Sequence, residues 1–101
     1  MSRPTPQGNI VRWALTVKQR QNTVDGMMWD TSVIDEVTGT REQALAQLWQ
    51  HAVNFQPKHP RTDTIRRRVL RDGDGFLVIN ESRRRVVSCE FRAYEILWDS
   101  Q

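Results

Sequence analysis

The C-terminal half of the chain constrains the fold most, because strand-like runs alternate there with short polar turns. Residues 72–75 read Asp-Gly-Asp-Gly, residue types that tolerate positive φ in tight hairpins. The runs on either side, 64–71 and 76–80, contain apolar and β-branched residues. A second polar turn at 80–82 leads into a third run at 85–92. The pattern predicts an antiparallel meander of three strands.

The N-terminal half predicts two more strands. Between residues 10 and 18, large apolar residues alternate with polar or small ones and share one face: Val11, Trp13, Leu15 and Val17. Residues 27–37 are rich in β-branched residues and favour a second strand, whose irregular pattern suggests a bulge. The polar residues 19–26 are expected to connect the two strands.

Residues 40–55 carry the clearest helical pattern. Thr40 and Gln43 have the spacing of a capping box, in which each side chain accepts a hydrogen bond from the backbone N–H of the other residue at the start of the helix. Apolar residues follow at positions i, i+3, i+4 and i+7, namely Leu45, Leu48, Trp49 and Ala52. Pro57 cannot continue a helix, so the helix must end before it.

These elements predict a two-layer α+β fold in the order ββαβββ. One amphipathic helix packs on an antiparallel sheet of four to five strands, and the other face of the sheet stays in water. Residues 10–101 would form a single domain behind a flexible N-terminal arm of residues 1–9. The predicted core consists of residues from the helix and from the strands: Trp13, Leu15, Leu45, Leu48, Trp49, Val87 and Phe91.

Composition limits the cellular setting and the class of protein. The chain of 101 residues carries 15 basic and 12 acidic residues, and the whole excess of positive charge lies in residues 56–101. The longest apolar runs are too short to span a membrane. The single cysteine, Cys89, cannot form an intrachain disulfide, and the N-terminus lacks the apolar stretch of a signal peptide. We therefore expect a cytoplasmic protein without a membrane partner.

The arginines of the meander are the candidate functional residues. Alternation along 65–71 places arginine on both faces, which is typical of an edge strand or of one that turns outward. Arginine suits contact with phosphate, so the candidates for nucleic-acid binding are the arginines expected on or near the solvent face: Arg66, Arg68, Arg83, Arg84, Arg85 and Arg92. The alternative is a solvated face that prevents sheets from joining edge to edge, and that interpretation is the simpler one.

Other chemistry finds little support in the sequence. Cys89 lies between Val87 and Phe91 in the alternation, which indicates a buried structural thiol rather than a nucleophile. His51 and His59 lack the spacing of zinc ligands and indicate no metal site, and His51 fits the boundary of a helix. The carboxylates of the first half are scattered and form no acid–base pair at the level of sequence. We expect neither an enzyme nor a cofactor.

Two classes of function remain. The first is a small nucleic-acid-binding or regulatory protein that contacts DNA or RNA through the arginine-rich meander. The second is a protein-interaction module, in which the arginines meet an acidic protein partner or the chain associates with itself. Trp29 and Trp98 fit an exposed apolar patch as well as a core.

Overall fold

The computed structural model describes residues 10–23, 26–55, 65–83 and 86–101. The predicted arm of residues 1–9 and the candidates Arg84 and Arg85 lie outside these residues. The elements, in chain order, are β1 (Val11–Thr23), β2 (Gly26–Gly39), α1 (Arg41–Asn54), β3 (Arg66–Asp72), β4 (Gly75–Glu81) and β5 (Val86–Glu95).

The five strands form one antiparallel sheet in the order β2-β1-β5-β4-β3, and α1 packs on one of its faces. The predicted two-layer α+β fold and the order ββαβββ are confirmed. Three pairs join strands that are neighbours in sequence, namely β1–β2, β3–β4 and β4–β5. The β1–β5 pair joins the two halves of the chain. No helix in the described residues is long and apolar enough to cross a membrane.

The first hairpin is longer than its apolar pattern indicates. Residues 19–23, expected in a connection, continue β1 and pair with the start of β2, from Gln19 opposite Asp30 to Thr23 opposite Gly26. Backbone hydrogen bonds between the two strands hold this part, and they do not require apolar side chains. The register shifts between Leu15 and Thr16, where Ile34 is the extra residue of β2, so the predicted bulge is confirmed.

The start of the helix is determined by the predicted capping box. The Thr40 hydroxyl accepts the backbone N–H of Gln43 at 3.2 Å, and the Gln43 side chain accepts the backbone N–H of Thr40 at 2.8 Å. The Trp13 indole Nε1 donates to the Gly39 carbonyl at 3.1 Å. Because Trp13 belongs to β1, this bond joins the end of β2 to the sheet just before the helix begins.

The core lies between α1 and the three central strands. Its fully buried large side chains are Leu15, Val17, Leu48, Val78, Cys89 and Phe91. Trp13, Leu45 and Val87 are partly buried against them, in line with the predicted core. The prediction for Trp49 was wrong: its side chain is 43% exposed. It lies at the margin of the helix, where its ring meets the edge of the Phe76 ring at 5.4 Å between centroids.

The turn between β3 and β4 follows the predicted chemistry. Gly73 adopts φ of +57°, the left-handed conformation that glycine takes at little cost. A Cβ at Gly75 would lie 2.1 Å from the Phe91 carbonyl oxygen, so glycine is needed there for β4 to approach β5. At the same end of the sheet, β5 continues as a strand to Glu95, so Tyr94 belongs to a strand and not to a helical turn.

We expect Leu48→Ala to lower the free energy of unfolding by about 2–5 kcal/mol, because Leu48 is fully buried beneath the helix and the sheet cannot fill the cavity. Urea denaturation followed by circular dichroism would measure the loss. Gln50→Ala, an exposed position of the same helix, serves as the control. A loss below about 0.5 kcal/mol for Leu48→Ala would contradict the assignment of the core.

Candidate functional site

The arginines of the meander divide between the two faces of the sheet. We call the face opposite α1 the open face. On edge strand β3, Arg66 and Arg68 share the open face with Leu70, whereas Arg67, Val69 and Arg71 point to the side that carries the helix. The predicted alternation is therefore confirmed, and the strand lies at an edge, as its composition indicates.

Three candidates come together at one corner of the open face, where β3 begins and β4 ends. Arg66 lies opposite Glu81 and Arg68 lies opposite Ile79, both on β4. Arg83 follows Glu81 by two residues. All three arginines are exposed. We call them the arginine corner. Arg84 and Arg85 continue the same connection in sequence but lie outside the described residues.

The charge of the arginine corner is only partly neutralised. Arg68 forms an ion pair with Glu81. Neither Arg66 nor Arg83 has a carboxylate within 4 Å among the described residues. Three exposed arginines thus lie near this end of the sheet and only Arg68 is paired with a carboxylate among the described residues, which leaves a local excess of positive charge.

Arg92 does not belong to this group. It lies opposite Gly75, at the other end of β5, and is separated from the start of that strand by six residues or roughly 20 Å. Its Nη2 is 2.9 Å from Asp72 Oδ2 and 3.9 Å from Glu90 Oε1. Because it joins β5 to the turn after β3, Arg92 acts as a structural link on the open face.

Arg67 has a structural role that the sequence does not suggest. Its Nε donates to Asn80 Oδ1 at 2.7 Å, and its Nη1 donates to the Val53 carbonyl at 2.9 Å. The Val53 carbonyl lies in the last turn of α1, where backbone oxygens lack helical partners. Arg67 therefore fastens the C-terminal end of the helix to the edge of the sheet.

A histidine–carboxylate pair links the other side of the helix to β2. Asp35 Oδ2 lies 2.8 Å from His51 Nε2 and 3.5 Å from Gln47 Nε2, and Asp35 Oδ1 accepts the backbone N–H of Glu36 at 2.8 Å. The hydrogen bond to His51, followed by that from Glu36, lowers the pKa of Asp35. His51 is half-buried at the helix boundary, as its position in the sequence indicates.

Cys89 is fully buried, as predicted for a structural thiol. Burial raises its pKa to about 11, because the thiolate would lose its hydration, while the charge of Arg67 acts weakly in the opposite direction. At neutral pH the group is a thiol, and it lies among Val78 and Phe91 in the core. It packs as a small apolar side chain.

A shallow groove of about 350 Å³ lies between the first turns of α1 and the β3–β4 turn. Leu45, Trp49 and Phe76 form its apolar part, and Arg71 and Glu42 lie at its rim. Arg41 forms an ion pair with Asp74 at the same place. The residues that line the groove carry charges of both signs. They do not direct several hydrogen-bond donors toward one point, so they indicate no particular ligand.

The described residues hold no group of three or more His, Cys, Asp or Glu side chains able to bind a metal ion. No protein-family model matches the chain, and no curated protein or solved structure is similar enough to count as a match.

Arg67→Ala should lower the free energy of unfolding by about 1–3 kcal/mol, because it removes a charged donor and leaves Asn80 Oδ1 and the end of the helix without it. Thermal denaturation would measure the change. Arg71→Ala is the matched control, since Arg71 is exposed on the same strand and the same face. Equal effects of the two substitutions would contradict a specific role for Arg67.

Asp35 should stabilise the fold at neutral pH and lose this effect in acid. Because its pKa is lowered in the folded state, its contribution is present above about pH 3.9, the ordinary value, and is lost as the pH falls through the folded value. Urea midpoints at pH 6 and pH 3 would show the difference between the wild type and Asp35→Asn shrinking in acid. His51→Gln should reduce that pH dependence. If the difference between the wild type and Asp35→Asn is the same at pH 6 and pH 3, the Asp35–His51 pair does not stabilise the fold.

Proposed function

We propose that this protein binds the phosphate backbone of nucleic acid through the arginine corner. The observation that supports the proposal is the excess charge there: Arg66, Arg68 and Arg83 are exposed, and among the described residues only Arg68 is paired, with Glu81. Guanidinium groups bind phosphate oxygens in a planar, bidentate manner and are less strongly hydrated than ammonium groups.

The position of the corner also supports this function. It occupies the edge and the end of the sheet, so a nucleic-acid strand can approach it without meeting α1, which lies on the other face. Two other arginines of the open face, Arg12 and Arg92, are already engaged with carboxylates. Arg12 is 2.8 Å from Glu36 and 3.2 Å from Asp99, which raise its pKa, and Arg92 is held by Asp72.

The proposed contact is with the backbone rather than with base edges. Arg66 and Arg68 lie on an edge strand rather than on a helix that could enter a groove and read base edges. Binding should therefore be weak to moderate and largely independent of sequence. The alternative is an acidic protein partner at the same arginines.

Fluorescence anisotropy with a labelled duplex and a labelled single strand, at several salt concentrations, tests the proposal. Three to four phosphate contacts predict a slope of log K against log salt of roughly −3 on duplex DNA. Replacing Arg66 and Arg83 together by Ala should flatten the slope by roughly 2, at about 0.9 per contact. Arg71→Ala, which removes an exposed arginine on the opposite face of β3, should change it little.

Two results would overturn the proposal. One is an absence of binding to DNA and RNA at low salt, after which an acidic peptide should be titrated against the same variants. The other is equal loss of affinity in Arg71→Ala and in the corner variant, because the effect would then reflect net charge alone rather than a site.

A further inference from the structure

The two edges of the sheet differ in charge. Edge strand β3 carries four arginines and one aspartate in seven residues. At the other edge, the segment Gly-Met-Met-Trp-Asp-Thr-Ser-Val, residues 26–33 of β2, carries one charge and contains neither proline nor lysine. Charges, lysine and proline are the usual means of preventing edge-to-edge pairing. The β3 edge is therefore protected, whereas this part of the β2 edge is not.

The outer side of β2 has unpaired hydrogen-bonding groups. In the described sheet β2 pairs only with β1, so alternate residues of 26–33 direct their N–H and C=O groups away from the sheet. The bulge at Ile34 ends the regular segment. Two large apolar side chains also remain in water on its open face, with Trp29 50% exposed and Val33 62% exposed.

We infer that two copies of the chain associate through β2, antiparallel, about a two-fold axis at Thr31. In this register Trp29 of each copy lies opposite Val33 of the other on the open face, because both are two residues from Thr31. An aromatic residue opposite a β-branched one is a favourable cross-strand pair. Each exposed apolar side chain of the edge therefore gains an apolar neighbour.

The polar positions are complementary in the same register. Asp30 lies opposite Ser32 of the second copy, where the hydroxyl can donate to the carboxylate. The two Asp30 side chains lie diagonally rather than directly across from each other, so their repulsion is reduced. Lys18 remains within its own copy, with its ammonium group 5.2 Å from the centroid of the Trp29 ring. The segment is thus complementary to itself, as a two-fold interface requires.

Other edge pairings are less favourable. Two β3 edges would bring four arginines of each copy together. Pairing β2 with β3 would leave a free edge at each end and produce open chains instead of a closed dimer. Because the axis lies at Thr31 and the bulge at Ile34 ends the regular strand, residues 29–33 of the two copies pair and form about four to six backbone hydrogen bonds. That number is at the low end for an interface, and the area is small. We expect a reversible dimer of micromolar affinity.

Sedimentation equilibrium from about 1 µM to 1 mM tests the dimer. Thr31→Glu should weaken association at least tenfold, because two carboxylates meet at the axis, while Lys18 opposite Thr31 within each copy helps to preserve the fold. Thr38→Glu is the matched control. Thr38 is also exposed on the open face of β2 and lies opposite Arg12, but it is beyond the bulge and outside the proposed contact.

A cross-linking experiment tests the register. In Thr31→Cys the two new thiols would lie on cross-strand positions at about 4.5–5.5 Å between Cα atoms, within the range for a disulfide. Mild oxidation should give a covalent dimer at low micromolar concentration. In Thr38→Cys the two thiols would be separated by roughly 48 Å, seven residues on each side of the axis, and should not react. The buried Cys89 does not interfere.

The inference does not depend on the proposed function, since β2 and the arginine corner lie at opposite edges of the sheet. It is rejected if the wild type is monomeric at 1 mM. It is also rejected if Thr31→Glu and Thr38→Glu dimerise equally well, or if Thr31→Cys cross-links no faster than Thr38→Cys. In the last two cases the dimer uses another surface.

Discussion

The packing of one helix on five strands is the constraint on which the rest of the structure depends. A helix is about 10 Å wide, whereas five strands span roughly 19 Å from first to last. The helix therefore buries the middle of one face, where Leu48 meets Leu15 and Phe91, and cannot cover the outer strands. Side chains at the margin, such as Trp49, stay half-exposed as a result.

Besides their backbone pairing, the outer strands are held by polar contacts that reach from the edges toward the helix. Arg67 joins β3 to the end of the helix, and Asp35 joins β2 to the last turn of the helix through His51. Arg92 links β5 to the turn after β3. Several charged residues of this basic chain are thus used for structure. Arg66 and Arg83, which have no such contact within the described part of the chain, belong to the candidate site.

Local signals in the sequence were sufficient for the order of elements, since the capping box at Thr40, the turn at 72–75 and the alternation in β1 each depend on a few neighbouring residues. The burial of Trp49 depends on how the helix crosses the sheet, which no local pattern records. The same holds for Arg67, whose partners Asn80 and Val53 are 13 and 14 residues away. No local pattern shows that Arg66 and Arg83 lie near the same end of the sheet, or that Arg92 lies at the other end of β5. Both facts depend on the order and register of the strands.

The two proposed surfaces become coupled if both exist. In a dimer joined through β2, ten strands lie side by side, and the two arginine corners stand at its outer edges. They are separated by roughly 43 Å across the strands and roughly 27 Å along them, because each corner is about four residues from the level of the axis, which gives roughly 51 Å in total. A nucleic acid long enough to reach both corners would bind the dimer more tightly than the monomer and would stabilise it by mass action. A short oligonucleotide reaches only one corner and has no such preference. The length of the nucleic acid, rather than its sequence, would then control assembly.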